Sequence, residues 1–349
     1  MNETIRVLIV EDQAAEQDTW RQVIELRNTD PAPPRFDIEF AVSLNDAESR
    51  LHERQYDAAI VDIRLEQAGV GGANTDGNVV IERVCQSGLM VVAAFTGEGT
   101  LVESKKVKVF TKGSADAGDG TEAVLKWLIE QAPLIKAVRS AHSLVQQQLA
   151  QLFHDSVWPR WKRWAERGAE GGVELPLARH LTSHVHAALL EMQEHCVHPE
   201  EWYFIPPIRD GIRTGDVVRL SNTDFEIVIS PRCDLSRHSK VNYILLAKCT
   251  CVAPEWNNLD AEVRAKQAAV ASADTGNRTG PEKKLKTAQD ALREFTQHNK
   301  NTNAVHFLPR AWLEDETEFG PVFVNFDQLR SVRKNSDEAK ALIDRRVAA

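Results

Sequence analysis

The first third of the chain alternates between short apolar runs and amphipathic stretches. Ile5-Arg-Val-Leu-Ile-Val10 is rich in β-branched residues and stops at two adjacent carboxylates, Glu11 and Asp12. Such a run reads as a strand buried on both faces, the kind found in a parallel sheet. Ala14 to Arg27 carries Trp20, Val23, Ile24 and Leu26 among charges, which predicts a helix laid on that sheet. Phe36 to Val42 alternates as a second strand, and Leu44 to Arg54 reads as a second helix capped by Ser43 or Asn45. Tyr56 to Asp62, Leu89 to Thr96 and Val107 to Lys112 are three further buried strands, with helices at Gly77 to Ser87 and Gly120 to Glu130. Alternating strands and helices predict an α/β fold, a doubly wound five-stranded parallel sheet over residues 1–133.

Beyond it the pattern changes twice. Residues 134–200 read as a helical coupler, with an apolar stripe of Leu134, Val138, Leu144, Leu149, Leu152 and Phe153 that suits either a link between domains or a dimer seam. Residues 201–335 carry short strands separated by Gly and Pro turns, the pattern of a small β-barrel-like output domain. A helical hairpin at 257–300 interrupts it, a further candidate surface for dimerisation or docking.

Composition narrows the classes of function. The 349 residues carry a formal charge of −9, which argues against a general nucleic-acid binder. No apolar run reaches the roughly 20 residues of a membrane span, and the polar start does not read as a signal peptide. Five scattered cysteines are expected to be reduced thiols in a cytoplasmic protein.

The strands of the first domain end, in order, at Glu11-Asp12, at nothing notable, at Asp62, at Thr96 and at Lys112. Asp12 alone reads equally well as a helix cap. Taken together, three carboxylates at one sheet edge can hold a hard octahedral cation such as Mg2+. One of them can then attack a phosphoryl group whose remaining oxygens an ammonium and a hydroxyl would bind. This set resembles the receiver domain of two-component response regulators. The resemblance implies that Asp62 is the phospho-acceptor and that Glu11 and Asp12 are Mg2+ ligands, joined by Asp62 and the backbone carbonyl of Arg64. It also implies that Thr96 and Lys112 bind the phosphoryl group, and that the partner is a histidine kinase or another phosphodonor. Three features depart from the family. Gly113 replaces the proline that follows the lysine, Val109 stands where an aromatic residue is usual, and the segment from Thr96 to Lys112 leaves room for only a turn or two of helix. The loop from Leu65 to Gly77 is long and glycine-rich, a candidate lid or partner-specific loop.

Other features carry weaker chemistry. His154-Asp155 with Pro159 superficially resembles a kinase phospho-histidine box, and His180 and His184 share a helix face that could hold a metal. Trp158, Trp161 and Trp164, interleaved with basic residues, are expected to pack as a core stripe. Gly215-Asp-Val-Val218, then Ile227-Val-Ile-Ser-Pro231, a polar loop and a second apolar strand resemble, over about 40 residues, the SH3-like barrel of MazF/PemK toxin endoribonucleases, although Asp224-Phe225-Glu226 stands where those enzymes carry an arginine. Arg232, Cys233 and Asp234 form a low-ranked candidate output site, and His238, Cys249 and Cys251 suggest zinc as a further use of Cys233. The favoured expectation is a phosphorylation-responsive signalling protein that relays to an unidentified downstream partner. The competing expectations are a receiver-regulated effector enzyme with an RNA-cleaving or Cys-dependent domain, and a receiver that serves only as an interaction module.

Overall fold

The computed structural model describes residues 4–65, 76–113, 120–167, 172–192, 198–207, 211–236, 241–273, 278–297 and 304–349. The chain divides into two compact units, Met1–Met192 and Gln193–Ala349. Among the described residues, no helix is long and apolar enough to cross a membrane.

The first unit opens with β1 (Thr4–Val10), α1 (Ala14–Thr29), β2 (Arg35–Ala41), α2 (Leu44–Glu53), β3 (Ala58–Val61), α3 (Asp76–Ser87), β4 (Val91–Thr96) and β5 (Lys108–Thr111). The five strands pair in parallel in the order β2-β1-β3-β4-β5. The reason lies in β1 itself. Val7 and Ile9 enter one apolar cluster with Trp20, Ile24, Phe36 and Leu128, while Leu8 and Val10 enter another with Ala47, Val80, Ile81 and Val84. A strand apolar at every position from Val7 to Val10 needs helices on both faces, and period-two alternation shares those side chains between them. Ser43 caps α2, its Oγ accepting from the Asp46 N–H at 3.2 Å. Between β4 and β5 the only helical element is a single 3-10 turn, Gly99–Leu101, in keeping with the shortness of that segment.

The helical middle belongs to this unit rather than standing as a separate coupler. α4 (Thr121–Glu130) runs into α5 (Ala132–Leu152) through Gln131, which keeps helical backbone angles. Ile135, on the first turn of α5, is buried in the same cluster as Ile5 and Val7, which ties the helix to the sheet. A π turn at Phe153–Val157 and a 3-10 turn at Trp158–Arg160 lead to α6 (Trp161–Arg167), and α7 (Glu174–Glu191) follows. These irregular turns break the 3.6-residue spacing on which the expected tryptophan core depended. Trp158 is 66% exposed and Trp161 43%, and only Trp164 is half-buried, its ring 5.2 Å from that of His180.

In the second unit, a six-stranded antiparallel sheet is built from β6 (Val217–Arg219), β7 (Phe225–Val228), β8 (Tyr243–Cys251), β9 (Val305–Leu308), β12 (Val322–Arg333) and β13 (Arg346–Ala348). Its order is β13-β6-β7-β8-β12-β9, with a short ribbon of β10 (Ala311–Trp312) and β11 (Glu318–Phe319). α8 (Arg232–Ser236) follows β7, and α9 (Ala253–Ala271) and α10 (Thr279–Thr296) form the hairpin inserted between β8 and β9. Trp256 of α9 stacks on Phe307 with ring centres 5.0 Å apart, and Phe295 of α10 lies 5.2 Å from Phe323, so aromatic rings fasten the hairpin to the sheet.

The second unit does not stop at residue 335. α11 (Asp337–Asp344) buries Ala339 and Leu342 against Val218, Ile244, Leu246 and Val332, and β13 pairs with β6. The unit therefore needs the chain through Ala349, whose N–H and carbonyl both bond to Phe204. β12 is also longer than Val322-Phe-Val-Asn-Phe326, the run of four apolar residues and an asparagine that marks a strand in the sequence. A register shift between Asn325 and Leu329 bulges out a short polar interval, after which pairing with β8 resumes.

Candidate functional site

Two neighbouring parallel strands deliver three acidic side chains to one edge. Glu11 and Asp12 leave β1, and Asp62 follows β3; one carboxylate oxygen from each lies within 4.8 Å of the others. Glu11 is only 2% exposed, Asp62 5% and Thr96 1%, so much of the site's polarity is removed from water. Lys112, just past β5, reaches across. Its Nζ donates to Glu11 Oε2 at 2.5 Å and to Asp62 Oδ2 at 2.7 Å. Its aliphatic stem brings the ammonium to 5.7 Å from the Phe95 ring centre. Thr96 closes the group from β4: its carbonyl accepts from the Lys112 N–H at 2.9 Å and its Oγ1 from the Glu98 N–H at 3.4 Å.

Burial dominates the electrostatics. It lifts the Glu11 carboxyl above its ordinary range, and the Lys112 hydrogen bond and charge pull it down by less. On Lys112 burial works against the charged form, but the hydrogen bonds it donates to Asp62 and Glu11, with their charges, outweigh it and the ammonium is held above its ordinary value. Glu11 and Asp62 therefore share one ammonium in a half-dry site, with the Asp12 carboxylate beside them. That excess of negative charge, with oxygen-only donors, suits a hard divalent cation such as Mg2+.

Two residues matter that sequence reasoning did not single out. Gly77, on the first turn of α3, lies so close to the backbone after β3 that a Cβ there would sit 2.1 Å from the Asp62 carbonyl oxygen and 2.5 Å from Ile63 Cα. Its N–H donates to the Ile63 carbonyl at 3.2 Å. Glycine is required because backbone meets backbone. The signal was present, as the last glycine of a glycine-rich loop, but its partner in space was not. The other is Glu98. Its carboxylate pairs with the Arg64 guanidinium at 2.8 Å, joining the loops after β3 and β4. The Arg64 N–H also donates to Asp62 Oδ1, at 3.3 Å.

Gly113 has φ of +67°, in the left-handed region that proline's ring forbids, which gives a backbone reason for its departure from the family pattern. Val109 is partly exposed, whereas neighbouring Phe110 is buried and meets Trp127 edge-on at 5.8 Å. The glycine-rich loop at 66–75 lies outside the described residues.

The remaining candidates do not assemble into comparable sites among the described residues. Cys233 is exposed on α8 with Asp234 Oδ1 3.8 Å from its sulfur, Arg232 is exposed, and the Asp234 carbonyl accepts from Lys334. No described base or second metal ligand joins them. His238 lies outside the described residues. Cys249 is buried in the apolar core, where burial pushes its thiol up to about 12. Glu226, near the position of the ribonucleases' arginine, is buried and bound by Arg330 at 2.6 Å, a structural use. His180 and His184 stack at 4.3 Å with no third ligand beside them, and His154 is exposed on the π turn.

No family model matches this chain, and no curated protein is similar to it. Solved structures are similar to its N-terminal part. A CheY-like response regulator receiver domain from Methylobacillus flagellatus matches at 17% identity and TM-score 0.28, over 36% of this chain and 98% of its own. The signal receiver domain of a putative Luxo repressor protein from Vibrio parahaemolyticus matches at 17% identity and TM-score 0.30, over 38% and 94%. A response regulator protein from Thermotoga maritima, solved in complex with Mg2+ and BeF, matches at 15% identity and TM-score 0.28, over 38% and 99%. The N-terminal unit of this chain is itself a five-stranded parallel sheet with apolar clusters and helices on both faces.

Proposed function

We propose that the chain is a phosphorylation-responsive signalling protein that accepts a phosphoryl group on Asp62. The observation that carries this reading is the convergence of Glu11, Asp12 and Asp62 within 4.8 Å, with Lys112 Nζ 2.7 Å from Asp62 Oδ2. Glu11, Asp12, Asp62 and the Arg64 carbonyl would hold Mg2+. When bound, the cation screens the carboxylates and draws charge from the equatorial phosphoryl oxygens. An Asp62 carboxylate oxygen attacks phosphorus, the bond from phosphorus to the donor breaks, and its electron pair leaves with the donor. The product is an acyl phosphate. Lys112, already within hydrogen-bond distance of Asp62, then pairs with a phosphoryl oxygen, and the Thr96 hydroxyl donates to another. The donor is a histidine kinase or a small acyl phosphate.

Signal output follows from the chemistry of the switch. Added charge on Asp62 recruits Lys112 away from Glu11 and engages Thr96, a local rearrangement that can bias a two-state element. With only one 3-10 turn between β4 and β5, the route outward runs through α4 and α5 rather than through a full intervening helix. The second unit acts as the binding or assembly part, and the helical segment or the α9–α10 hairpin serves as a dimer contact. Incubating the full chain with acetyl phosphate and Mg2+ should add one phosphoryl group by intact-mass spectrometry, and Asp62→Asn should remove the gain. An unchanged mass, or a gain that survives Asp62→Asn, would overturn the assignment.

A further inference from the structure

The amino-terminal edge of the parallel sheet, opposite the one that carries Asp62, borders a cavity of about 610 Å3. Residues just before or within the starts of β1, β3 and β4 form one wall, among them Arg6, Tyr56 and Met90, and α5 forms another through Val138, Arg139 and His142. A second cavity of about 550 Å3 shares Arg6 and Arg139 with the first. The larger volume falls within the range of small-molecule sites, which combine apolar walls with a few convergent polar groups.

The charges on this cavity do not balance. It is lined by three guanidiniums, from Arg6, Arg54 and Arg139, against the single carboxylate of Asp57. Arg139 is taken by Asp57 and by the Thr4 carbonyl at 2.7 Å. Arg54 is taken by Asp37 and Glu39, each at 2.5 Å. The Arg6 side chain makes no hydrogen bond or ion pair among the described residues, although its own N–H donates to Asp57 at 2.7 Å. One guanidinium is thus left to face both cavities, with the His142 ring across from it on α5 and an apolar surface of Leu51, Met90 and Val138 beside it.

We infer that this cavity binds a small organic anion. Its carboxylate or phosphate group sits against Arg6 with His142 as a second donor, and its apolar body lies on Leu51, Met90 and Val138. Such a ligand touches both the base of the sheet and α5, so it fastens the helix to the receiver from the side away from Asp62. The site is independent of the phosphorylation chemistry.

Phenylphosphonate and benzoate are suitable probes, since neither can donate a phosphoryl group, and benzyl alcohol is the neutral control. Binding to the full chain is read by isothermal titration calorimetry, with far-UV circular dichroism confirming that each variant folds. At least one of the two anions should bind saturably and more tightly than benzyl alcohol. Arg6→Gln should weaken that binding about tenfold, the loss of one charged hydrogen bond. Ser143→Trp, at an exposed position of α5 that lines the cavity, should abolish it by filling the space. Absence of saturable binding by both anions, equal affinity for benzyl alcohol, or binding unchanged in either variant overturns the inference.

Discussion

The acidic sheet edge of the first unit and the core of the second treat buried carboxylates in opposite ways. In the second, each has a structural cation of its own. Asp216 faces Arg346 at 3.5 Å and accepts from the Arg213 N–H at 2.7 Å, and Arg330 links Glu226 of β7 to Glu338 of α11. In the first, Glu11 and Asp62 both bind Lys112, and Asp12 lies beside them with a carboxylate oxygen within 4.8 Å of theirs. Local pairing completes a fold, whereas an excess of one sign in a buried site marks a place where a ligand belongs. Conserved sequence spacing is not needed to see the difference. Counting opposing charges within reach of each buried carboxylate is enough.

The comparison breaks most sharply on removal of the cations. Lys112→Met and Arg346→Met each strand buried carboxylate charge, and each should cost about 3–5 kcal/mol in urea titrations without metal. Hydrogen-exchange mass spectrometry should then separate them. Mg2+ at about 100 times its Kd should return about 2.7 kcal/mol of protection to the ends of β1 and β3 in Lys112→Met. It should leave β6 and β13 of Arg346→Met unprotected. Equal rescue of both variants would mean that the acidic cluster is not a selective cation site.

A smaller effect tests the backbone contact beneath Asp62. Gly77→Ala forces a methyl group against the Asp62 carbonyl, so α3 or the acceptor strand must shift, at about 1–3 kcal/mol of stability. Its rate of phosphoryl gain from acetyl phosphate should fall with it. A variant as stable and as fast as the parent would show that this approach is not needed.

The smallest expected effect concerns the second unit's core. Burial pushes the Cys249 thiol up to about 12 from an ordinary value of 9.0. Its folded form therefore keeps a proton that the unfolded chain releases, and the contribution to stability is full below pH 9, then declines as pH rises toward 12. Iodoacetamide at pH 8 should label exposed Cys233 and Cys251 in the native protein and reach Cys249 only after denaturation. Native labelling of Cys249 at the same rate as Cys251 would contradict its buried placement.

Much of the first unit was legible because its strands are apolar at nearly every position and end abruptly at polar residues. Ile5 to Val10 and Tyr56 to Asp62 announce both strand and site, since no amphipathic helix tolerates such runs. Gly77 was illegible as a site residue because its meaning depends on where Asp62 lies in space. In the second unit, β12 was underestimated because Asp327 and Gln328 interrupt its alternation at the bulge, where pairing with β8 lapses and then resumes. The closing helix and strand at 337–348 carry too few apolar residues to declare themselves, and their use becomes visible only when Leu342 is seen under the sheet and β13 beside β6. The tryptophans at 158 and 161 misled because helical spacing was assumed across turns that are not α-helical.

The join at Gln131 gives the first unit a mechanical character. Because α4 passes into α5 without leaving helical geometry, the 21 residues of α5 extend about 32 Å from a root seated in the receiver core. A rod of that length converts a tilt of about 5° at Ile135 into a sweep of about 3 Å at its tip, where the exposed rings of Phe153, Trp158 and Trp161 begin. Arg139, bound to Asp57 one turn beyond Ile135, sets the fulcrum close to the root. A small displacement at the root of α5 is therefore magnified where the aromatic surface lies.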